Sequence, residues 1–132
     1  MQDWGKIFKS CGSSGLFTAG SSARFDEIGQ TAVKSGLNYI YIDLIHVDDK
    51  QSFLKVLAEK IGFPAHFGMN WDALKDSLTD MPAGHGCVIA LDNIRGYAQA
   101  EPDGMRAVRN IFKYTAGYWK KQAVAFYVLT RM

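Results

Sequence analysis

The sequence predicts an α/β domain, a three-stranded parallel sheet packed with helices over residues 24–132, preceded by a Gly/Ser-rich arm (1–23) able to add an edge strand. Three observations carry this. Runs of strand length, rich in β-branched and aromatic residues, stand at 38–44, 87–91 and 123–130. Stretches with apolar residues at helical spacing lie between them. The resulting order, strand–helix–helix–strand–helix–strand, needs crossover connections, and these return each strand parallel to the last. The runs are almost continuously apolar, as in a sheet covered on both faces.

The arm holds one short apolar run at 15–18, the candidate edge strand, and Trp4 and Phe8 as candidate anchors. From Arg24, the residues Phe25, Ile28, Ala32 and Val33 form one helical face, and Gly36 ends the helix. After the 38–44 strand, Asp48 with Gln51 three residues later reads as a capping box. Phe53, Leu54, Leu57, Ala58 and Ile61 give the next helix its apolar side, and Gly62 closes it. Pro64 and Gly68 mark a loop, and Asn70 caps a short helix over 71–79. Glycines and Pro102 make 92–104 a long loop, followed by a helix over 105–120 and the last strand.

Composition narrows the function classes. Fifteen basic against 13 acidic residues leave a net charge of +2, too small to name a partner, so any electrostatic role must rest on local patches. The only two cysteines, Cys11 and Cys87, lie far apart without C-x-x-C spacing and read as reduced thiols, with Cys87 packed in a core strand. The first residues, Met1 to Lys6, lack the apolar stretch of a signal peptide, and no apolar run is long enough to span a bilayer. These features predict a cytoplasmic protein with no membrane contact; a monomer is expected. His46, His66 and His85 have no ligand neighbour at a metal-binding spacing, so neither metal nor cofactor is expected. Asp72 and Asp76 sit on adjacent turns of one short helix, which does not flank a substrate cleft. No nucleophile or oxyanion motif accompanies them. The chain reads as a binding protein, not an enzyme.

The 71–79 helix carries the strongest signal. At about 100° per residue, Trp71, Leu74, Leu78 and Met81 share one side, expected to be buried. Asp72, Asp76 and Asp80 share the other, at i, i+4 and i+8. Like charges at that spacing cost about 0.2–0.5 kcal/mol per pair. Only Asp72, in the first turn, is compensated by the helix dipole. An acidic stripe that lowers helix stability fits a cationic partner, though charge runs are commonly plain solvated faces.

The segment Phe63-Pro64-Ala65-His66-Phe67-Gly68-Met69-Asn70-Trp71-Asp72-Ala73-Leu74-Lys75-Asp76-Ser77-Leu78-Thr79 resembles the signature of the barstar family, protein inhibitors of barnase-type ribonucleases. That signature runs from an apolar residue and Pro through an aromatic pair and Gly-x-Asn into a helix reading Asp-Ala-Leu-x-Asp-x-Leu-Thr. The order of flanking strands and helices agrees, and the resemblance covers roughly 38–130. It implies that this loop and helix lie across a nuclease active site. Asp76 would enter the pocket for a substrate phosphate and Asp72 would pair with basic groups beside it. His66, Asn70, Lys75, Asp80 and Tyr114 would complete the partner-binding surface. The chain departs from the family pattern at three of these positions. Lys75 stands where an aromatic contact residue is usual, His66 replaces the first of the aromatic pair, and Tyr114 falls near an acidic contact position. The implied partner is therefore a ribonuclease, barnase-type or related, with its own charge pattern.

A second patch competes. Arg106, Arg109, Lys113 and Lys120 fall within an arc of about 60° on the 105–120 helix, while Val108, Ile111, Phe112, Thr115 and Trp119 face elsewhere. A nucleic-acid-binding or regulatory module using this basic helix is the alternative reading. No aromatic or Gly-rich binding element accompanies the stripe, so direct nucleic-acid binding is not expected.

Overall fold

The computed structural model describes residues 3–9, 11–64, 67–82, 84 and 86–132. Its elements are α1 (Trp4–Ile7), β1 (Gly15–Thr18), α2 (Phe25–Lys34), β2 (Asn38–Asp43), α3 (Lys50–Ile61), α4 (Trp71–Asp80), β3 (Gly86–Asp92), α5 (Arg95–Ala100), α6 (Pro102–Lys121) and β4 (Ala125–Thr130). The sheet is parallel throughout, in the order β1-β4-β3-β2. The three expected strands pair as predicted, and the 15–18 run adds a fourth at the edge beside β4. The parallel α/β architecture is that of the sequence reading, with four strands in place of three.

Each face of the sheet has its own apolar layer. Ile89, Leu91, Phe126 and Val128 point to the side covered by α3 to α6, where Leu54, Leu57, Leu74, Leu78 and Phe112 are fully buried. Val88, Ala90, Tyr127 and Leu129 point to the other side and meet Phe8, Phe25, Ile28 and Ala32. This two-sided burial is why β3 and β4 read as unbroken apolar runs. Cys87 lies in β3, and burial alone pushes its thiol up to about 12, leaving it un-ionised and inert. Trp4 and Phe8 anchor the arm to the sheet. Phe8 is buried, stacked on Trp4 at 5.7 Å and tilted against Tyr127 at 5.0 Å.

The structure moves four sequence assignments. The cap of α3 is Asp49, not Asp48: its carboxylate accepts from the Ser52 backbone N–H at 2.8 Å and from the Ser52 hydroxyl at 3.0 Å. The 92–104 stretch is not a loop. Ile94 and Tyr97 are fully buried three residues apart and anchor α5, and Pro102 opens α6 at a position where its missing N–H costs nothing. Val33 is 63% exposed, off the buried face of α2. Trp71 is half-buried because it sits at the first turn of α4, edge-on to Phe53 at 6.2 Å, with the Lys50 ammonium 5.3 Å from its ring centre.

Tyr97 stacks on Phe53 at 4.5 Å, yet its buried hydroxyl has no hydrogen-bond partner among the described residues. The hydroxyl abuts Gly104 so closely that a Cβ there would collide with it. An unpaired buried hydroxyl costs about 1–3 kcal/mol of desolvation, so Tyr97→Phe is expected to leave stability unchanged or raise it by about 1 kcal/mol. Gly104→Ala should destabilise on its own and recover part of that loss in the Tyr97→Phe background. Urea melts of the three variants check this, and a Tyr97→Phe loss above about 1 kcal/mol would contradict it.

Candidate functional site

The segment leading into α4 is built by local capping. Gly62 closes α3 in the left-handed conformation (φ 87°), and the Phe63 N–H turns back to the Ala58 carbonyl at 3.0 Å. The Phe67 N–H donates to the Pro64 carbonyl at 3.0 Å, and the Phe63 and Phe67 rings meet at 5.1 Å. Met69 takes a left-handed backbone (φ 53°), unusual for a side chain of its size, and so directs the chain sharply into the helix. Asn70 then caps α4: its Oδ1 accepts from the Ala73 N–H at 2.7 Å, while its Nδ2 donates to the Gly68 carbonyl at 3.2 Å. The sequence reading placed this cap correctly.

α4 is held from below and at its far end. Leu74 and Leu78 are fully buried, each stabilising by roughly 1.5–3 kcal/mol. The Trp119 indole N–H of α6 donates to the Leu78 carbonyl at 3.0 Å, satisfying a helix-end acceptor. A short helix is thereby anchored to the rest of the fold and serves as a platform.

Asp72, Asp76 and Asp80 are exposed along the outer face of that platform. Among the described residues none of the three carboxylates has an ion pair or a side-chain hydrogen bond. Lys75 does not neutralise them. It is half-buried, with its ammonium 4.1 Å from the ring centre of Tyr114 on α6, and Tyr114 is 51% exposed. The structure thus brings together Asn70, Asp72, Lys75, Asp76, Asp80 and Tyr114 on or beside α4; His66 lies outside the described residues. Asp76 and Asp80 also form one wall of an open cleft of about 1040 Å³, whose other lining includes Lys60, Phe63, Phe67 and Tyr118. Lys60 and Tyr118 escaped the sequence reading because they come from α3 and α6, and only the fold gathers them.

Residues 37–131 match the sequence profile of the barstar family, barstar being the barnase inhibitor. The chain belongs to the barstar family. The barstar-family region opens just before β2 and ends with Arg131, so α1, β1 and α2 precede it. It contains all of the α4 surface described above. No curated protein matches the chain.

Two other groupings of polar side chains lie outside the α4 surface. Arg106, Arg109, Lys113 and Lys120 are all exposed on α6, with Arg106 paired to Asp103. The second grouping is a clasp at the carboxyl ends of the strands. Asp92, 2% exposed, receives the Arg131 Nε and Nη2 at 2.8 Å each, the Tyr41 hydroxyl at 2.5 Å and the Asn93 N–H at 2.9 Å. The Arg131 guanidinium, with help from Tyr41 and the Asn93 N–H, holds the Asp92 carboxyl below the usual carboxylate range, and Asp92 in turn pushes the Tyr41 hydroxyl up beyond what burial alone does. Arg131 also donates to the Ala23 carbonyl at 2.5 Å and lies 4.5 Å from the Phe25 ring centre. From the sequence, Asp92 stood only as the first residue of the expected 92–104 loop, and Arg131 had no assigned role. Among the described residues no group of three or more His, Cys, Asp or Glu side chains could hold a metal ion, and no helix is long and apolar enough to cross a membrane.

Proposed function

We propose that this barstar-family protein is a non-catalytic inhibitor that lays residues 63–80 across the active site of a ribonuclease, with Asp76 taking the place of a substrate phosphate. The observation that carries this reading is the state of the acidic stripe: three exposed carboxylates, unpaired among the described residues, on a helix fixed by its cap, its buried leucines and Trp119. An active site that binds phosphodiesters is lined with Arg, Lys and His. A carboxylate presented on a rigid support engages such groups through charge-assisted hydrogen bonds, and it offers no bond to cleave. Rigidity matters because little conformational freedom remains to be lost on association. Asp72 pairs beside Asp76, Asp80 lies at the rim, and Asn70, Lys75 and Tyr114 border the contact. The role is immunity: the inhibitor shields the cytoplasm of the cell that makes the nuclease, and it acts as a monomer.

Titration of the chain into a purified barnase-type ribonuclease tests the reading. RNA cleavage should fall to an endpoint near a one-to-one ratio, and the chain alone should leave RNA uncleaved and, at physiological ionic strength, unbound. Failure to inhibit any of a panel of purified microbial ribonucleases, together with tight, salt-sensitive RNA binding lost in Arg109→Ala/Lys113→Ala, would move the working surface to α6.

A further inference from the structure

The position of Lys75 says which ribonucleases the surface accepts. Lys75 follows Asp72 by three residues and immediately precedes Asp76. On a solvated helix, a lysine three residues after an aspartate commonly pairs with it. Here it does not: no ion pair within 4.0 Å joins Lys75 to a carboxylate among the described residues, and its ammonium rests 4.1 Å from the ring centre of Tyr114 instead. The ring is itself 51% exposed, so any body that covers the acidic stripe and its α6 flank also covers Tyr114 and the cation upon it.

We infer that Lys75, held on Tyr114, is a specificity-determining residue that selects ribonucleases carrying a carboxylate opposite it, at the edge of an otherwise cationic active site. The inference rests on the inhibitor reading above and names the partner's charge pattern. Covering an ammonium strips its water, and the ring replaces that water on one side only. The open side must meet an acceptor or the contact loses affinity. A uniformly basic surface supplies no acceptor and adds like-charge repulsion, while the neighbouring aspartates still attract it. Lys75 thus discriminates by penalising the wrong partner, a role distinct from the attraction that Asp76 provides. Tyr114 is a positioning residue: it holds the ammonium over its ring, unpaired with Asp72.

The probe is barnase, whose substrate is an anionic polymer and whose active site must be cationic. Inhibition constants are measured for the parent, Lys75→Met, Lys75→Glu, Tyr114→Leu and Asp76→Ala, with thermal melts confirming that each variant is folded. Removing the cation should tighten barnase inhibition about tenfold in Lys75→Met, and further in Lys75→Glu, with the gain shrinking as salt rises. Tyr114→Leu should move the constant in the same direction by less. If Lys75→Met and Lys75→Glu leave inhibition unchanged or weaken it while Asp76→Ala abolishes it, the selectivity role is overturned and the inhibitor reading stands. If Asp76→Ala is also without effect, the inhibitor reading fails with it.

Discussion

Asp76→Ala is expected to weaken inhibition of a ribonuclease that the chain blocks by about 2–5 kcal/mol, the general range for truncating one partner of a buried charge pair. Asp76 lies at the centre of the stripe, one turn from Asp72 and one from Asp80. At the centre of a contact water is excluded, so loss of the carboxylate leaves the partner's cations desolvated and unpaired. Asp72→Ala should cost less, and Asp80→Ala least, because rim charges stay hydrated and screened. Stability should move the other way. Asp76 is exposed and, among the described residues, has no ion pair or side-chain hydrogen bond for its removal to break, while each like-charge pair relieved returns about 0.2–0.5 kcal/mol, so the melting temperature should hold or rise slightly. Binding titrations run beside thermal melts separate the two effects. Should Asp76→Ala bind as tightly as the parent while Arg109→Ala does not, the partner docks on α6.

The parts of the fold legible in the sequence were those fixed by local pattern. β3 and β4 announced themselves as apolar runs, and Asn70 as a cap three residues ahead of the N–H it satisfies. The α4 stripe was legible because charge at i, i+4 and i+8 survives translation from sequence to surface without tertiary knowledge. What escaped depended on contacts distant in sequence. α5 was hidden by glycines and Pro102, since its stability comes from Ile94 and Tyr97 entering a core shared with Phe53, not from propensity. The orientation of Lys75 was undecidable from α4 alone; Tyr114, 39 positions later, sets it. The clasp joins residues that the chain separates most widely, Ala23, Tyr41, Asp92 and Arg131, and no spacing rule connects them.

That clasp should be the largest single contributor to stability among the polar contacts. Arg131→Met is expected to destabilise by about 3–5 kcal/mol, because Asp92, 2% exposed, would keep its charge in the interior with, among the described residues, the Tyr41 hydroxyl and the Asn93 N–H left to stabilise it. The same change frees the Ala23 carbonyl and the Phe25 ring, loosening the entry to α2. Adding Asp92→Leu should recover part of the loss, since a buried pair is more easily replaced whole than broken by half, and the partly exposed Tyr41 hydroxyl can turn to water. The pH dependence identifies the cause. Arg131 holds the folded Asp92 carboxyl below its unfolded value, so as pH falls the unfolded chain takes up the proton first. The contribution of Asp92 is therefore complete above the ordinary carboxylate range near pH 4, and it is lost progressively as pH drops through that range towards the depressed folded value. Urea unfolding of the parent should show stability declining over that acid window. Arg131→Met should show a shallower decline there, because without the guanidinium the folded and unfolded carboxyls titrate closer together. A variant within about 0.5 kcal/mol of the parent at pH 7, with an unchanged acid slope, would mean that the guanidinium contributes no net stability and that the two apolar layers alone hold the strand ends together.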